Sequence, residues 1–342
     1  MAARDWKYGE YKGVVRGGLC PHLSAWLQRL VHIKPLPFHE GPALENLPVD
    51  DVLYRFLLEH AGIRGALVRL GPAWRDVASR AEYPPALHAV LGEALAASAL
   101  LTGNIKLDGA LSIELKSTGA LRLLFAECND QGRLRGLARW NDPLPEPLEL
   151  QALPEAIMAI TIGNVERGQR YQGLVDLQHE SLADALENYF VQSEQLPARI
   201  VLATNGDYAV GLMLQKVPDE GGHDASDDKD AWNRVVQLTA TLGAEELLAT
   251  APAELLYRLY HEESVRLFES RPLAFGCSCG RERVAAMLRS LGRDEVEAAL
   301  EARDGEIEVI CEFCAQRYLF DRIDAEHLLS DSPVLSTPDT TQ

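Results

Sequence analysis

Positive charge is scarce in this chain. Lysine and arginine number 33 against 51 aspartates and glutamates in 342 residues, a formal net charge of −18. Such a surface repels phosphate backbones and anionic membranes except at a local basic patch, which argues against nucleic acid as a partner. Long hydrophobic runs are also missing. The apolar stretches near 89–101 and 155–162 are interrupted or short of the roughly 18 residues that span a bilayer, so no membrane is expected as a partner. The N-terminus lacks a basic segment followed by an apolar core and a small-residue cleavage site. A reducing, cytoplasmic compartment is the expectation, and there paired cysteines serve as metal ligands or redox groups more than as permanent bridges. There is no GxxxxGK[ST] phosphate loop and no GxSxG elbow, so no nucleotide is expected as a partner. No internal repeat is visible.

What is there begins at about Asp50. Residues 1–49 are richer in Arg and Lys than the rest, and "KPLPFHEGPALENLP" is broken by four prolines. That stretch reads as an extension, unstructured or arising from an upstream start, with no function assigned. "DDVLYRFLLEHAG" has apolar residues at Val52, Leu53, Phe56 and Leu57, a spacing that predicts a helix with Gly62 as its stop. "GALVRL" reads as a strand, and Pro84 to Leu101 as a second helix ended by Gly103. "ALSIELKS", "LRLLFAE", "LRGLARW", "AIMAITI" and "QGLVDL" read as strands separated by turn residues. "SLADALENYFVQSEQL" is a predicted helix with Ser181 as N-cap and Asp184 three residues on. "ARIVLAT" and "VGLMLQ" return to strand. Hairpin-length spacing between strands predicts an α+β fold, a mixed core of sheet and packed helices, over a doubly wound parallel sheet.

"PDEGGHDASDDKD" at 218–230 is an acidic connector. The stretch from Ala231 to about Arg271 is helical in pattern but weakly amphipathic: Thr239 interrupts its apolar face, and Thr250, Pro252 and "HEESVR" break it again. Such a segment needs a partner surface to stay folded. The piece from 272 to about 330 is expected to hold four cysteines between two short helices, and the Ser/Thr/Pro-rich end, 331–342, is expected to be disordered.

Only six cysteines occur, yet four of them form two tight pairs. Cys277 and Cys279 make a CxC, Cys311 and Cys314 a CxxC, and thirty-one residues separate the pairs. Two thiolate pairs joined by a loop can close a tetrahedral four-thiolate zinc site at a zinc–sulfur distance of roughly 2.3 Å, with no open position for a reactive water. A static zinc module that stabilises about fifty residues, too few for a core of their own, is one reading. A redox role is the other. A disulfide across CxC closes a very small, strained and reducible ring, so an oxidant could turn each pair into a local disulfide and eject the metal. Neither small loop would replace the long-range cross-link between the pairs. Arg281, Arg283 and Arg317 are close enough in sequence to favour thiolates, or form a solvated helix face. Cys128 reads as a small buried hydrophobe, Cys20 is unassigned, and His261 and His327 read as surface or packing residues. A thiol–disulfide oxidoreductase would use one CxxC at a helix N-terminus, but a second thiol pair here competes for the metal. A zinc ribbon binding nucleic acid fits poorly, with twelve acids against seven arginines from Arg281 to Glu326.

"GCSCGRER" followed at this distance by "CEFCAQRYLFD" closely resembles the 33 kDa chaperonin family of redox-regulated heat-shock holdases. Upstream, "RGALVRL", "ASALLTGNIKLDGALSIELKSTGALRLLFAECN", "ERGQRYQGLVDL", "YFVQSEQLPARI" and "LLYRLYHEESVRLFE" resemble family blocks in family order. The likeness covers about residues 50–330 and leaves 1–49 without a counterpart. It implies an ATP-independent chaperone, not an enzyme, with no catalytic residue. Its implied parts are a core at 50–222, a metastable helical linker at 223–271 and a zinc-binding redox switch at 272–330. The reduced form would hold one zinc on Cys277, Cys279, Cys311 and Cys314 and be inactive. Oxidation would form Cys277–Cys279 and Cys311–Cys314, release zinc and unfold the linker. The oxidised chain, as a homodimer, would bind unfolding client proteins and prevent their aggregation under oxidative and heat stress.

Overall fold

In the computed structural model, which describes residues 49–105, 108–164, 169–216, 228 and 230–330, the run DDVLYRFLL is a strand and not a helix. This β1 (Val52–Leu58) pairs antiparallel with β2 (Ile63–Leu70) across a tight turn in which Gly62 takes a positive φ of 61°. The spacing misleads because the strand is covered on both faces. A doubly buried strand reads as a continuous apolar run rather than an alternation, and tyrosine and phenylalanine suit the pleated surface. The expectations for residues 1–49, for Cys20, for most of the acidic connector and for the C-terminal tail fall almost wholly outside the described residues.

After α1 (Pro72–Ala78) comes α2 (Pro85–Asn104), the central helix. It is apolar all round because sheet lies on both sides of it, and Leu87, Leu91, Leu95 and Leu100 are all fully buried. Among the described residues it alone is long and apolar enough to cross a membrane, and 67% of its apolar window is buried inside the protein. Gly103 does not end it. A Cβ there would come within 2.5 Å of Leu53, so glycine lets the last turn press against β1.

The strands read from sequence follow in order: β3 (Ala110–Lys116), β4 (Leu121–Asn129), β5 (Arg133–Trp140), β6 (Ile157–Asn164) and β7 (Gln169–Val175). Then comes α3 (Leu182–Tyr189), where the Ser181 hydroxyl accepts from the Asp184 amide at 3.1 Å as the capping pattern predicts. β8 (Ala198–Thr204) and β9 (Ala209–Lys216) form a hairpin that joins β2.

The linker region forms α4 (Ala231–Ala240), α5 (Ala244–Ala249) and α6 (Pro252–Tyr260), then returns to strand as β10 (Val265–Leu267) and β11 (Arg271–Pro272), both on β1. The first sheet therefore runs β10-β1-β2-β9-β8, with β11 beside β10 on β1. One face packs on α2. The other carries Tyr54, Phe56, Leu67, Leu212 and Leu214, and is covered by Val235, Leu247, Leu255, Leu256 and Tyr260 of the three helices. Thr239, expected to interrupt the apolar face, is buried. It donates to the Val235 carbonyl, which leaves its oxygen to accept from the Tyr260 hydroxyl at 2.7 Å. Buried Arg69 reaches across from β2 to the Leu248 carbonyl at 2.6 Å, holding the end of α5. The break at "HEESVR" is a single turn in which Glu263, 3% exposed, pairs with Arg234 at 2.6 Å.

β12 (Ala274–Phe275) pairs parallel to β5 and completes the second sheet, β12-β5-β4-β3-β6-β7. The remainder is small: α7 (Arg281–Leu291), α8 (Arg293–Glu301), the hairpin β13 (Glu306–Ile310) and β14 (Arg317–Asp321), and α9 (Arg322–Ser330). The cysteines do not lie between two helices, as expected. Two helices lie between the cysteine pairs instead. This unit buries only Val284, Ala285, Leu288, Val296, Leu300, Ile307, Phe320 and Ala325, fewer residues than a domain needs to stand alone.

Candidate metal centre

The CxC follows β12, whose register on β5 is held by Ala274 N–H to Gly132 O at 3.0 Å and Gly276 N–H to Leu134 O at 2.9 Å. Gly132 takes a positive φ of 74° in the turn that receives this segment, and a Cβ on it would stand 2.5 Å from the Pro272 carbonyl oxygen. The CxxC forms the turn of the β13–β14 hairpin: Ala315 N–H donates to Cys311 O at 2.7 Å and Cys311 N–H to Gln316 O at 2.9 Å. Ala315 is left-handed, φ 57°.

These two turns bring four half-buried, unbonded cysteines together, with every sulfur within 4.8 Å of the others. Two of the approaches run between the pairs: Cys277 to Cys311 at 3.6 Å and Cys279 to Cys314 at 3.3 Å. Tetrahedral thiolates at zinc are about 3.8 Å apart, from a zinc–sulfur distance of about 2.3 Å. The cluster could hold a metal ion of that size.

The electrostatics are those of sulfurs competing for one proton vacancy. Burial pushes the Cys279 thiol up, but the Tyr318 hydroxyl, donating at 3.1 Å, and the neighbouring sulfurs outweigh it and bring Cys279 down to about 7. Burial, with the sulfurs of its neighbours, pushes Cys314 up to about 12, and burial raises Cys277. One thiolate forms readily and discourages the next, so a cation is what lets several ionise together.

The arginines nominated by sequence proximity have other hydrogen-bond partners. Arg281 donates to Leu319 O and to Asp324 and lies over the Phe320 ring, Arg283 donates to Ser278 O, and Arg317 pairs with Glu308. The sequence missed two residues that serve the sulfurs. Tyr318 is one; its signal was an aromatic hydroxyl in the strand leaving the CxxC. The other is Arg135, on β5, which bonds Glu127 at 2.7 Å and Ser278 at 2.9 Å and carries a raised pKa because Glu127 and Cys277 outweigh its burial. No local signal marks it, because only the pairing of β12 with β5 brings it there. Cys128 is fully buried, its thiol raised to about 11 by burial, and His261 and His327 are exposed, as read.

Comparison with known proteins follows the same outline. The family model described as Hsp33 protein matches residues 51–321. A 33 kDa chaperonin of Ectopseudomonas mendocina is 43% identical over 284 residues, 82% of this chain and 96% of that protein. One of Azotobacter vinelandii is 45% identical over 282 residues, 82% of this chain and 95% of that protein. The crystal structure of the 33 kDa chaperonin from Thermotoga maritima shares the fold at a TM-score of 0.68 and 21% identity, covering 82% of this chain and 98% of that one.

Proposed function

The chain belongs to the Hsp33 family, and from that premise we propose that it is an ATP-independent holdase chaperone of the cytoplasm, switched on by oxidation and without catalytic activity. The observation that carries the reading is the covered face of the first sheet. A broad apolar surface lies under three short helices, and those helices lead by β10–β12 straight into the four-cysteine unit. Cys277, Cys279, Cys311 and Cys314 are the zinc ligands of the reduced, inactive form. When bound, zinc cross-links the two turns and keeps the thiolates charged.

An oxidant such as peroxide takes two electrons from each pair of thiolates and two protons from solvent, and leaves as two waters as one S–S bond forms in each pair. Bonds Cys277–Cys279 and Cys311–Cys314 close tiny loops and remove the cation's ligands, so a unit with eight buried residues loses its only long-range cross-link. A bond across the pairs, Cys277–Cys311 or Cys279–Cys314, would instead staple the unit shut, so within-pair bonding is what opens it. The helices α4–α6 then lose their C-terminal anchorage and uncover Tyr54, Phe56, Leu67, Leu212 and Leu214 for the apolar segments of unfolding clients. The oxidised form acts as a homodimer.

The test follows zinc, free thiols and suppression of a client's thermal aggregation together during peroxide treatment. One zinc lost as four thiols disappear, with holding gained only then and reversed by dithiothreitol, is the expected result. Holding indifferent to oxidation would reduce the cysteines to a structural clamp, and a disulfide map showing cross-pair bonds would refute the opening step.

A further inference from the structure

The stretch "GRLRGLARW" holds the CxC segment, and it also builds a basic stripe in a chain of net charge −18. On the outer face of the second sheet, β5 presents Arg133, Arg135, Leu137 and Arg139 in alternation. Strand register sets Phe125 beside Leu137 and Leu123 beside Arg139. The row continues from Leu137 and Phe125 through Glu114 and Ala159 to Leu174, and beside it lies Ile157; Leu174 and Ile157 are 59% and 60% exposed. The face thus has exposed Leu174 and Ile157 at one end, Glu114 and the buried Ala159 and Leu137 between, and arginines along the other border.

In the reduced chain the arginine border is already occupied, and by the two residues inside the CxxC. Glu312 pairs with Arg139. Phe313 meets Phe125 edge-on at 5.5 Å and lies under the Arg135 guanidinium at 4.6 Å. Arg80 donates to Cys314 O at 3.2 Å. The occupant displays the chemistry the face accepts: a carboxylate followed by an aromatic ring, in a tight turn whose Cys314 carbonyl accepts from Arg80. On the redox reading above, loss of the small unit's fold would carry both side chains off this face.

We infer that the β4–β5 face, with Arg135, Arg139 and Phe125 at its centre, is a second client-docking surface, specific for segments in which an acidic residue precedes an aromatic, and masked in the reduced chain by Glu312 and Phe313. Its unmasking rests on the redox reading above; its specificity does not. Exposed Leu174 and Ile157 lie past the masked end, so a client longer than the masking turn gains apolar contacts that the turn itself lacks. At its arginine border the face favours an acidic residue over a basic one.

The probe is a fluorescein-labelled peptide of residues 308–318 with Cys311→Ser and Cys314→Ser, read by anisotropy against the full chain. The oxidised, zinc-free chain is expected to bind it, and to bind the Glu312→Lys or Phe313→Ala peptide at least tenfold more weakly. An Arg139→Glu chain, oxidised in the same way, is expected to reverse the preference between the Glu312 and Lys versions. The reduced wild type is expected not to bind. The reduced E312A/F313A chain, with its zinc content and circular dichroism checked, reads the face alone and is expected to bind with the same preference. A chain that has released zinc and holds clients, but binds all peptides equally or none, overturns the proposal and leaves the switch standing. A chain that keeps its zinc under oxidant sinks the switch. In that case the reduced double variant decides: selective binding supports the face, and unselective or absent binding overturns it.

Discussion

The Tyr318 hydroxyl donates to the Cys279 sulfur at 3.1 Å, and no other side chain outside the cysteine cluster is shown bonding that sulfur. A partner of this kind tunes a metal ligand's basicity and fixes its orientation, and its loss typically weakens metal binding 10–100-fold. Tyr318→Phe is therefore expected to surrender zinc to a competing chelator at least about tenfold more readily, with the reduced fold unchanged by circular dichroism. Glu93 gives a second residue-level test, away from the metal. Burial on α2 raises its carboxyl from 4.5 to about 7. The folded state thus disfavours its charge: the cost is absent below pH 4.5, grows as pH rises toward 7, and is constant above. Glu93→Gln should raise the denaturation midpoint at pH 8 and change it little near pH 4.5; equal effects at both would refute the assignment. At this scale the cysteines were legible because a CxC and a CxxC are local patterns. Arg135 was not, because its place beside Cys277 is a product of the pairing of residues 133–134 with 274–275.

Among elements, the linker helices are held by apolar cover and by polar bonds that include those of Arg69, Thr239 with Tyr260, Arg234 with Glu263, and Arg258 with Glu246. Leu256, on α6, is fully buried against the first sheet. Leu256→Ala should cost about 2–5 kcal/mol of local stability, enough to expose the first sheet without touching the cysteines. The expected result is partial client holding and faster proteolysis between residues 231 and 264 in the reduced chain, with zinc retained; zinc loss in step with holding would mean that linker and metal unit open as one. Most strands and α2 were readable from apolar pattern and turn residues. β1 was not, because cover on both faces erases alternation, and the end of α2 was not, because Gly103 serves close packing against Leu53 rather than termination. Nor was β10, three residues long and strand only by virtue of β1.

For the molecule as a whole, cores of very different size predict unequal resistance. The cluster around α2 draws on both large sheets, whereas the cysteine unit has eight buried residues. Stripping the metal from the reduced chain should therefore melt the small unit first, visible as loss of helix and a separate low-temperature transition, with the main transition retained. A single transition before and after chelation would show that the units share their stability. Fold class was legible at this scale because alternation and spacing report layers. Which layer covers which was not, since the linker's apolar residues name no partner. One consequence of the way the chain returns to its beginning remains. β10 and β11 close the outer flank of β1, so an opened linker that carries them away would leave the N–H and C=O groups of Val52–Leu58 unpaired along an edge. Activation would then offer unfolding proteins a template for strand addition as well as an apolar surface. Amide exchange at Phe56 to Leu58, slow in the reduced chain, should quicken on oxidation and slow again once a client has been captured.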